Sequence, residues 1–230
     1  MKMPPCRIWH DIYLIGGSDV SHPLDCCIYL IDAGELVLID TGMGYSFPIL
    51  IGNIRSLGFD PKDLSLVIAT HRHIDHVGSL AMFRQKYNIK VVAHRLDADA
   101  MESGKGVGAS FYGVTYHPCP VDIQLEGKES ELKLTKHALR LLHIPGHTPG
   151  SIAVYLDCYG KRVLFGQDIH GPYEPMFGGN IEQAIISLKE LLELKADLLC
   201  EGHYGVLEPK AEVIQYINGH LRSLEKRLPK

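Results

Sequence analysis

Three histidines and one aspartate lie within six residues of the stretch "ATHRHIDHVGS", residues 69–79. Burying such side chains without partners would be costly, and neutral imidazole and carboxylate are natural ligands of zinc, iron and related ions. Residues two apart face the same way in an extended segment, so His71 and His73 can bind one ion together. Asp75 and His76 lie where the chain turns into a predicted helix, whose N-terminal dipole favours the carboxylate. These two residues can therefore face a second ion.

Three further stretches place a metal-binding side chain directly after an apolar, strand-like run. "IPGHTPGS" contains His147, "LFGQD" ends at Asp168, and "LLCEGH" ends at His203. Ligand sites of layered α/β proteins gather at strand ends. One zinc needs about three protein ligands and a water. The five histidines and two aspartates therefore suit two ions that share a carboxylate, as in two-metal hydrolytic sites.

The elements that must position these residues are short apolar strands alternating with helices. The pattern predicts strands at 11–16, 27–32, 35–40, 64–70, 90–94, 131–134, 138–144, 151–157, 161–166 and 196–203. It predicts helices at 45–57, 77–87, 181–195 and 209–227. The runs at 36–42 and 162–169 both reach an aspartate, Asp40 and Asp168, which is a sign of a duplicated half.

The segment 102–130 differs from the rest because it is rich in glycine and lacks an apolar period. Loops of this length are usually functional lids or disordered. Its aromatic residues Phe111, Tyr112 and Tyr116 favour a lid over a substrate. With no low-complexity linker elsewhere, we predict one domain over residues 1–230, with this segment as an insertion.

Composition narrows the class of protein. The 230 residues carry a net charge of −4, which argues against nucleic-acid binding through a broad basic face. The N-terminus lacks the apolar run of a signal peptide, and no stretch approaches the ~20 apolar residues that span a bilayer. We therefore expect a cytoplasmic protein that acts on a small molecule and does not bind nucleic acid or membrane.

Isolated histidines and cysteines receive a structural interpretation. Single histidines elsewhere are expected on the surface or as satisfied core residues. The six cysteines form no C-x-x-C pair, so we predict reduced thiols. Cys26 and Cys27 are expected at a strand start as small apolar residues. The single histidines are His10, His94, His137 and His220.

Together, the motifs resemble those of the metallo-β-lactamase superfamily of hydrolases. The resemblance rests on "THRHIDH" at 70–76, "PGHTPGS", "GQD" and "GH" in the family order, and on "LIDTG" at 38–42. It covers about the whole chain. It implies an α/β fold, a four-layer αβ/βα sandwich in which two mixed sheets are flanked by helices, with the metals in a cleft at one edge of the sheets.

The resemblance also implies a ligand for every position of a two-ion centre, with two zinc ions expected and iron or manganese as alternatives. Asp40 would contact a ligand and orient it. The ligands implied are His71, His73 and His147 for the first ion, Asp75, His76 and His203 for the second, and Asp168 between them.

The chemistry implied by the resemblance is hydrolysis by a metal-activated water that attacks a carbonyl or phosphoryl centre. Asp75 would also transfer a proton. His170, Tyr173 and Tyr204 are candidate donors to the developing oxyanion, because each is close in sequence to a ligand. His22 is a candidate for the lining of the cleft.

Among the branches of the family, the glyoxalase-II-like and lactonase-like group fits best. True β-lactamases are exported and lack the complete ligand set, the nucleases carry a large insertion or arm and a basic surface, and the flavin-linked di-iron proteins carry a flavodoxin domain. The glutathione-binding helical domain of glyoxalase II is not evident after His203. The expected substrate is therefore a small ester, thioester or lactone.

Three alternatives stay open at this point. A persulfide dioxygenase would use one iron held by the equivalents of His71, His147 and Asp168. A phosphodiester or nucleic-acid hydrolase would use both ions, and a non-catalytic relative would only bind metal, although a complete ligand set favours a working site. Members of the family often form dimers, and the apolar face of 209–227 could serve either the sheet or a second copy in a homodimer.

Overall fold

The structure, a computed structural model, describes residues 2–228 and contains two mixed β-sheets. The first sheet runs in sequence order, antiparallel from β1 to β4 and parallel from β4 to β7. Its strands are β1 (Cys6–Trp9), β2 (Ile12–Gly16), β3 (Ile28–Asp32), β4 (Leu36–Ile39), β5 (Leu64–Ile68), β6 (Lys90–His94) and β7 (Ile123–Leu125).

The second sheet has the order β13-β12-β11-β10-β9-β8. Only β11 and β12 pair in parallel; the other neighbours are antiparallel. Its strands are β8 (Glu129–Lys133), β9 (Ala138–His143), β10 (Ile152–Cys158), β11 (Lys161–Gln167), β12 (Leu198–Glu201) and β13 (Val206–Leu207).

Helices cover the outer face of each sheet. Helices α1, α3 and α4 pack on the first sheet, and α5 and α6 on the second. A third apolar cluster lies between the sheets, so the layers follow the predicted αβ/βα order and the predicted fold is confirmed. The helices are α1 (Phe47–Ser56), α2 (Ile74–Val77), α3 (Leu80–Tyr87), α4 (Arg95–Ser103), α5 (Ile181–Glu193) and α6 (Lys210–Glu225).

Strand β3 shows why the sheets bury both faces. Successive side chains of a strand point to opposite faces, and here Tyr29 and Ile31 join the cluster between the sheets. Ile28 and Leu30 join the cluster under the helices. A strand with both faces buried becomes a continuous apolar run rather than an alternating one, as "CIYLI" does.

The predicted elements are present with shifted ends, but β1, β7, β13 and α4 are not predicted by the pattern. The prediction of one irregular insertion over 102–130 is wrong. This range contains the end of α4, a 3-10 turn at Ala109–Tyr112, β7 at the edge of the first sheet, and the start of β8. Strand β7 has three residues, too few for an apolar period to show.

The two halves repeat one arrangement around the cleft. Strand β4 is followed by Asp40 and pairs in parallel with β5, and β11 is followed by Asp168 and pairs in parallel with β12. Each parallel pair is joined through a helix, α1 or α5. Parallel strands end at the same edge of a sheet, so both aspartates arrive beside the loops that follow β5 and β12.

The apolar face of α6 packs inside the chain, against the second sheet and α5. A homodimer would therefore need another surface. Among residues 2–228, no helix is long and apolar enough to cross a membrane.

Candidate metal centre

The seven predicted ligands converge at one edge of the two sheets, although they lie on four loops. The ligating atoms form two groups, and within each group they lie within 4.8 Å of one another. We name them the imidazole group, which is His71, His73 and His147, and the carboxylate group, which is Asp75, His76, Asp168 and His203.

Asp168 touches both groups. Its Oδ2 lies 3.4 Å from Nε2 of His147 and 3.4 Å from Nε2 of His203. Its Oδ1 lies 3.2 Å from Nε2 of His76. The Gly202 backbone passes so close that a Cβ there would collide with Oδ1 of Asp168. Glycine at this position therefore leaves room for the one carboxylate that both groups share.

The donor atoms fit divalent ions. Nε2 of His71, Nε2 of His76 and Oδ1 of Asp168 are buried without a hydrogen-bond partner in the described chain. Buried polar atoms normally have partners, so three unpartnered atoms at one point fit a site for a cation. In the imidazole group, Nδ1 of His73 and Nε2 of His147 face each other at 2.8 Å. Imidazole nitrogens with carboxylates form the donor set of zinc, iron and manganese sites.

The outward nitrogens of two ligands are held by the protein. Nδ1 of His76 lies 2.7 Å from Oδ2 of Asp40, which also accepts from the Thr70 hydroxyl at 2.7 Å. Nδ1 of His147 donates to the Pro172 carbonyl at 2.7 Å. Such contacts fix the ring orientation and leave Nε2 for the ion. Asp40 thus contacts a ligand in the predicted manner.

A buried carboxylate that the sequence does not reveal joins two of the ligand loops. Asp97 of α4 is fully buried and accepts from the Arg72 amide at 3.1 Å, the Thr148 hydroxyl at 2.6 Å and the Gly150 amide at 3.1 Å. It therefore holds the loop of His71 and His73 against the loop of His147. No motif marks it, because its partners are far away in sequence.

Glu201 supports the other side of the centre. Its side chain is fully buried in β12. Oε2 accepts from the amides of His203 at 2.7 Å and Tyr204 at 3.0 Å, and Oε1 lies 2.8 Å from Nδ1 of His170. Sequence reasoning missed Glu201, whose only signal is a charged residue in an otherwise apolar run.

The histidines of the imidazole group are difficult to protonate. Burial and the neighbouring imidazole of His147 lower the pKa of His73 to about 3. Burial, together with the other histidines, holds the pKa of His71 well below its usual range. Removing a charged group from water disfavours it, and a like charge nearby adds to this cost. These rings are therefore neutral, the form that binds a metal.

The carboxylate group shows the opposite tendency. Burial lowers the pKa of His203, but the hydrogen bonds to Asp168 and Asp75 outweigh it and raise this pKa to about 10. Burial raises the pKa of Asp168, but His76 and His203 hold it well below its usual range. Opposite charges favour the ionised forms of both partners. This half of the centre thus attracts positive charge.

The centre opens into a cleft of about 340 Å³. His170, Tyr204, Phe111 and Tyr112 line it as predicted. The cleft is lined by His73, Ile74, Asp75, Val107, Gly108, Phe111, Tyr112, His147, Asp168, His170, Gly171, Pro172, Phe177, His203 and Tyr204.

Three predicted cleft residues lie elsewhere. Tyr116 is a core residue under the first sheet, and its hydroxyl donates to the Met101 carbonyl at 3.1 Å. Tyr173 is buried behind His147 and bonds the Ile169 carbonyl. His22 packs on Tyr45, with ring centroids 5.2 Å apart, outside the lining. Whether an aromatic ring is buried depends on the residues that pack around it, and the spacing of residues in the sequence does not show these neighbours.

The single histidines lie outside the two groups and have partners of other kinds. The ring of His10 stacks on Tyr159, and that of His94 on His143. His137 pairs with Asp11, and His220 packs on Tyr216. All six cysteines are free, as expected, and Cys26 and Cys27 are buried directly before β3.

The sequence model of the Metallo-beta-lactamase superfamily matches residues 23–203, a range that contains all seven predicted ligands. The chain belongs to this superfamily. Membership together with the cluster of histidines and aspartates indicates a hydrolase that depends on divalent metal ions.

Several characterised or named proteins are similar. A probable metallo-hydrolase of Methanocaldococcus jannaschii is 32% identical over 61% of this chain and 66% of its own length. The probable metallo-hydrolase YqgX of Bacillus subtilis is 33% identical over 70% of this chain and 75% of its own. A Thermus thermophilus ribonuclease is 31% identical over 86% of this chain, a match that spans only 45% of the ribonuclease.

Two further similarities concern activity and fold. The hydroxyacylglutathione hydrolase GloC of Haemophilus influenzae is 25% identical over 79% of this chain and 85% of its own length. The solved metallo-beta-lactamase GOB-18 of Elizabethkingia meningoseptica superposes with a TM-score of 0.78 over 98% of this chain and 91% of that one, at 26% identity. These names span several hydrolytic reactions, so similarity defines the class and leaves the substrate open.

Proposed function

We propose that this protein uses two divalent ions, expected to be zinc, to hydrolyse a small ester, thioester or lactone. The observation that carries the proposal is the pair of ligand groups that share Asp168 at the base of a small cleft. The name of the Haemophilus relative, a hydroxyacylglutathione hydrolase, supports an acyl substrate.

The chain's own residues suit this reaction. Bound in the two groups, divalent ions would supply an activated water and polarise the substrate carbonyl. Asp75 lines the cleft, and its Oδ2 lies 3.2 Å from Nε2 of His203. In this position it can accept the proton of the attacking water and pass it to the leaving group.

His170 and Tyr204 are the candidates for contacts with the substrate itself. The buried Glu201 carboxylate accepts from Nδ1 of His170, so Nε2 is the ring nitrogen that is left to contact the substrate. Tyr204 has an exposed side chain at the mouth of the cleft, where its hydroxyl can donate to a substrate oxygen.

Charge argues against a nucleic-acid substrate. Along the described lining of the cleft there is no lysine or arginine to bind phosphates next to the one being cleaved, and backbone phosphates dominate the affinity of nucleic-acid binders. The net charge of −4 points the same way. The ribonuclease relative is more than twice as long as the matched stretch, which spans 45% of it.

The test combines metal analysis with a panel of substrates. Protein purified without added metal is assayed for ions per chain, and the loaded protein is offered chromogenic esters, thioesters, lactones and phosphodiesters. Two zinc ions with turnover of an acyl substrate support the proposal. One iron with oxygen uptake on a persulfide, or cleavage of phosphodiesters alone, would overturn it.

A further inference from the structure

An aromatic pair forms one wall of the cleft. Phe111 lies in the 3-10 turn Ala109–Tyr112, and Phe177 lies in the 3-10 turn Pro175–Phe177. Their ring centroids are 5.2 Å apart with an interplanar angle of 63°, a favourable edge-on geometry. The two turns come from different halves of the chain, so the wall exists only in the folded protein.

Phe177 is anchored to the metal-binding loop. Its carbonyl accepts from Nη2 of Arg72 at 3.2 Å, and its ring centroid lies 5.9 Å from that of His73. The following residue, Gly178, has φ +87°, and a Cβ there would collide with the Arg72 guanidinium. The anchor places an apolar ring beside the imidazole group, directly next to the reaction site.

The outer side of the Phe111 ring is not covered by other residues of the described chain. Its side chain is 61% exposed, which is unusual for phenylalanine. Tyr112 and Tyr204 on the same lining are also exposed, and so is Met176 in the opposite turn. Exposed apolar side chains that gather around one opening mark a binding surface for an apolar group.

The cleft offers nothing that would bind a remote anion. Its carboxylates are Asp75 and Asp168, its imidazoles are three predicted metal ligands and His170, and no lysine or arginine belongs to the described lining. Arg72, the neighbour of two ligands, is already engaged: Nη1 lies 3.8 Å from Oδ1 of Asp97, and Nη2 bonds the Phe177 carbonyl. A substrate with a carboxylate or phosphate away from the scissile bond would find no partner for it.

We propose that Phe111 and Phe177 bind the apolar acyl chain of a neutral ester, thioester or lactone and thereby set the chain-length preference of the enzyme. This inference rests on the proposed function and narrows its substrate class. Covering the exposed ring with an alkyl chain removes apolar surface from water on both partners. Longer acyl chains therefore gain affinity that an acetyl group does not.

The first experiment is a chain-length series. Metal-loaded protein is assayed with p-nitrophenyl acetate, butyrate and octanoate, and kcat/KM is expected to rise along the series. Phe111→Ala and Phe177→Ala should each lower kcat/KM for the octanoate by about tenfold or more, mainly through KM. The loss for the acetate should be clearly smaller than the loss for the octanoate.

Tyr45→Ala is the matched control, because Tyr45 is an aromatic residue that is 57% exposed and lies outside the cleft lining. This variant should leave the whole series unchanged. Phe111→Leu should restore most of the preference, since an apolar side chain of similar volume remains.

A binding measurement separates this inference from the proposed function. Calorimetric titration of the metal-loaded protein should show tighter binding of octanoate than of acetate or succinate, and Phe111→Ala should remove the difference. If no ester is hydrolysed but this pattern holds, the proposed function fails and the apolar wall stands. The assignment of Phe111 and Phe177 to the acyl chain would be overturned by equal losses of kcat/KM for the acetate and octanoate esters. It would also be overturned if the variants kept the chain-length preference in both assays.

Discussion

The two ligand groups of the centre lie side by side and differ in their electrostatics. The imidazole group holds its protons weakly, because buried rings surround one another and the pKa of His73 falls to about 3. The carboxylate group holds protons strongly, because Asp75 and Asp168 face its two histidines and the pKa of His203 rises to about 10. The same residue type thus behaves in opposite ways a few ångströms apart.

The difference shows what each group requires of an ion. Neutral imidazoles offer lone pairs without a proton to displace, whereas the carboxylate group offers negative charge that protons occupy in the absence of metal. The two ions would then be bound by different balances of charge and donor strength. Asp168 is the only one of the seven residues that lies within ion-pair distance of both groups.

The largest expected effect follows from removing the shared carboxylate. Asp168→Asn should abolish measurable turnover of acyl substrates, a loss of more than about a hundredfold, since changes to residues that merely support ligands already reach that range. Both ions should bind more weakly. Turnover and metal content per chain are measured together.

Asp157→Asn is the control for this change, because Asp157 is an exposed carboxylate that pairs with Arg162. Near-normal turnover of Asp168→Asn with two ions retained would show that Asp168 is not the shared ligand.

The next change separates the groups. His73→Ala should lower the metal content from two ions to one at the imidazole group, and His203→Ala should do the same at the carboxylate group, each with turnover reduced by about ten- to a hundredfold or more. The remaining site is identified by spectroscopy with cobalt as a substitute ion. If either variant lost both ions equally, the two groups would be one cooperative site.

A smaller effect is expected from a residue that acts through a ligand. Asp40→Asn weakens the hold on Nδ1 of His76 and should reduce metal affinity by about ten- to a hundredfold, at the carboxylate group alone. Competition with a chelator measures both affinities. Asp32→Asn, at a half-buried carboxylate paired with Lys136, should change neither. Equal weakening of both groups would contradict the division between them.

The smallest expected effect is on stability and concerns the stacked pair His94 and His143, which, like the imidazole group, has no carboxylate between its rings. His94 stacks on His143 at 3.8 Å, and burial with that neighbour lowers the pKa of His94 to about 4 from 6.5. His94 therefore becomes protonated below about pH 6.5 in the unfolded chain, but only below about pH 4 in the folded chain. The contribution of His94 to the free energy of unfolding is fully present above about pH 6.5 and is lost as the pH falls from about 6.5 to about 4.

His94→Asn should keep the helix cap that His94 provides to the Leu96 amide and remove this titration. Urea unfolding between pH 7 and pH 4 should then show a shallower loss of stability in the variant than in the parent protein. Parallel curves would mean that His94 titrates alike in both states.

The sequence is a good guide where neighbours in the chain are also neighbours in space. The alternation of strands and helices predicts the two sheets, and the predicted ligands of residues 71–76 are recognisable because four of them fall within six residues shortly after β5. Two of the three misplaced residues, Tyr116 and Tyr173, are buried tyrosines, and the third, His22, packs on Tyr45. An aromatic side chain serves a core or a cleft equally well, and the choice depends on packing partners that are distant in the chain.

The supporting carboxylates could not be predicted for a related reason. Asp97 reaches Thr148 across 51 residues, and Glu201 reaches His170 across 31. Asp97 and Glu201 support the site through hydrogen bonds that form only when separate loops meet in the folded chain. Neither residue has a motif of its own.

By itself, the sequence determined which types of side chain are available to bind ions and their order along the chain, because ligand chemistry depends on residue type and local spacing. Only the tertiary structure decided that Asp97 joins two of the ligand loops, that His73 and His203 have opposite proton affinities, and that Phe111 meets Phe177 above the centre. Those properties depend on distance and burial, which arise when remote segments pack together.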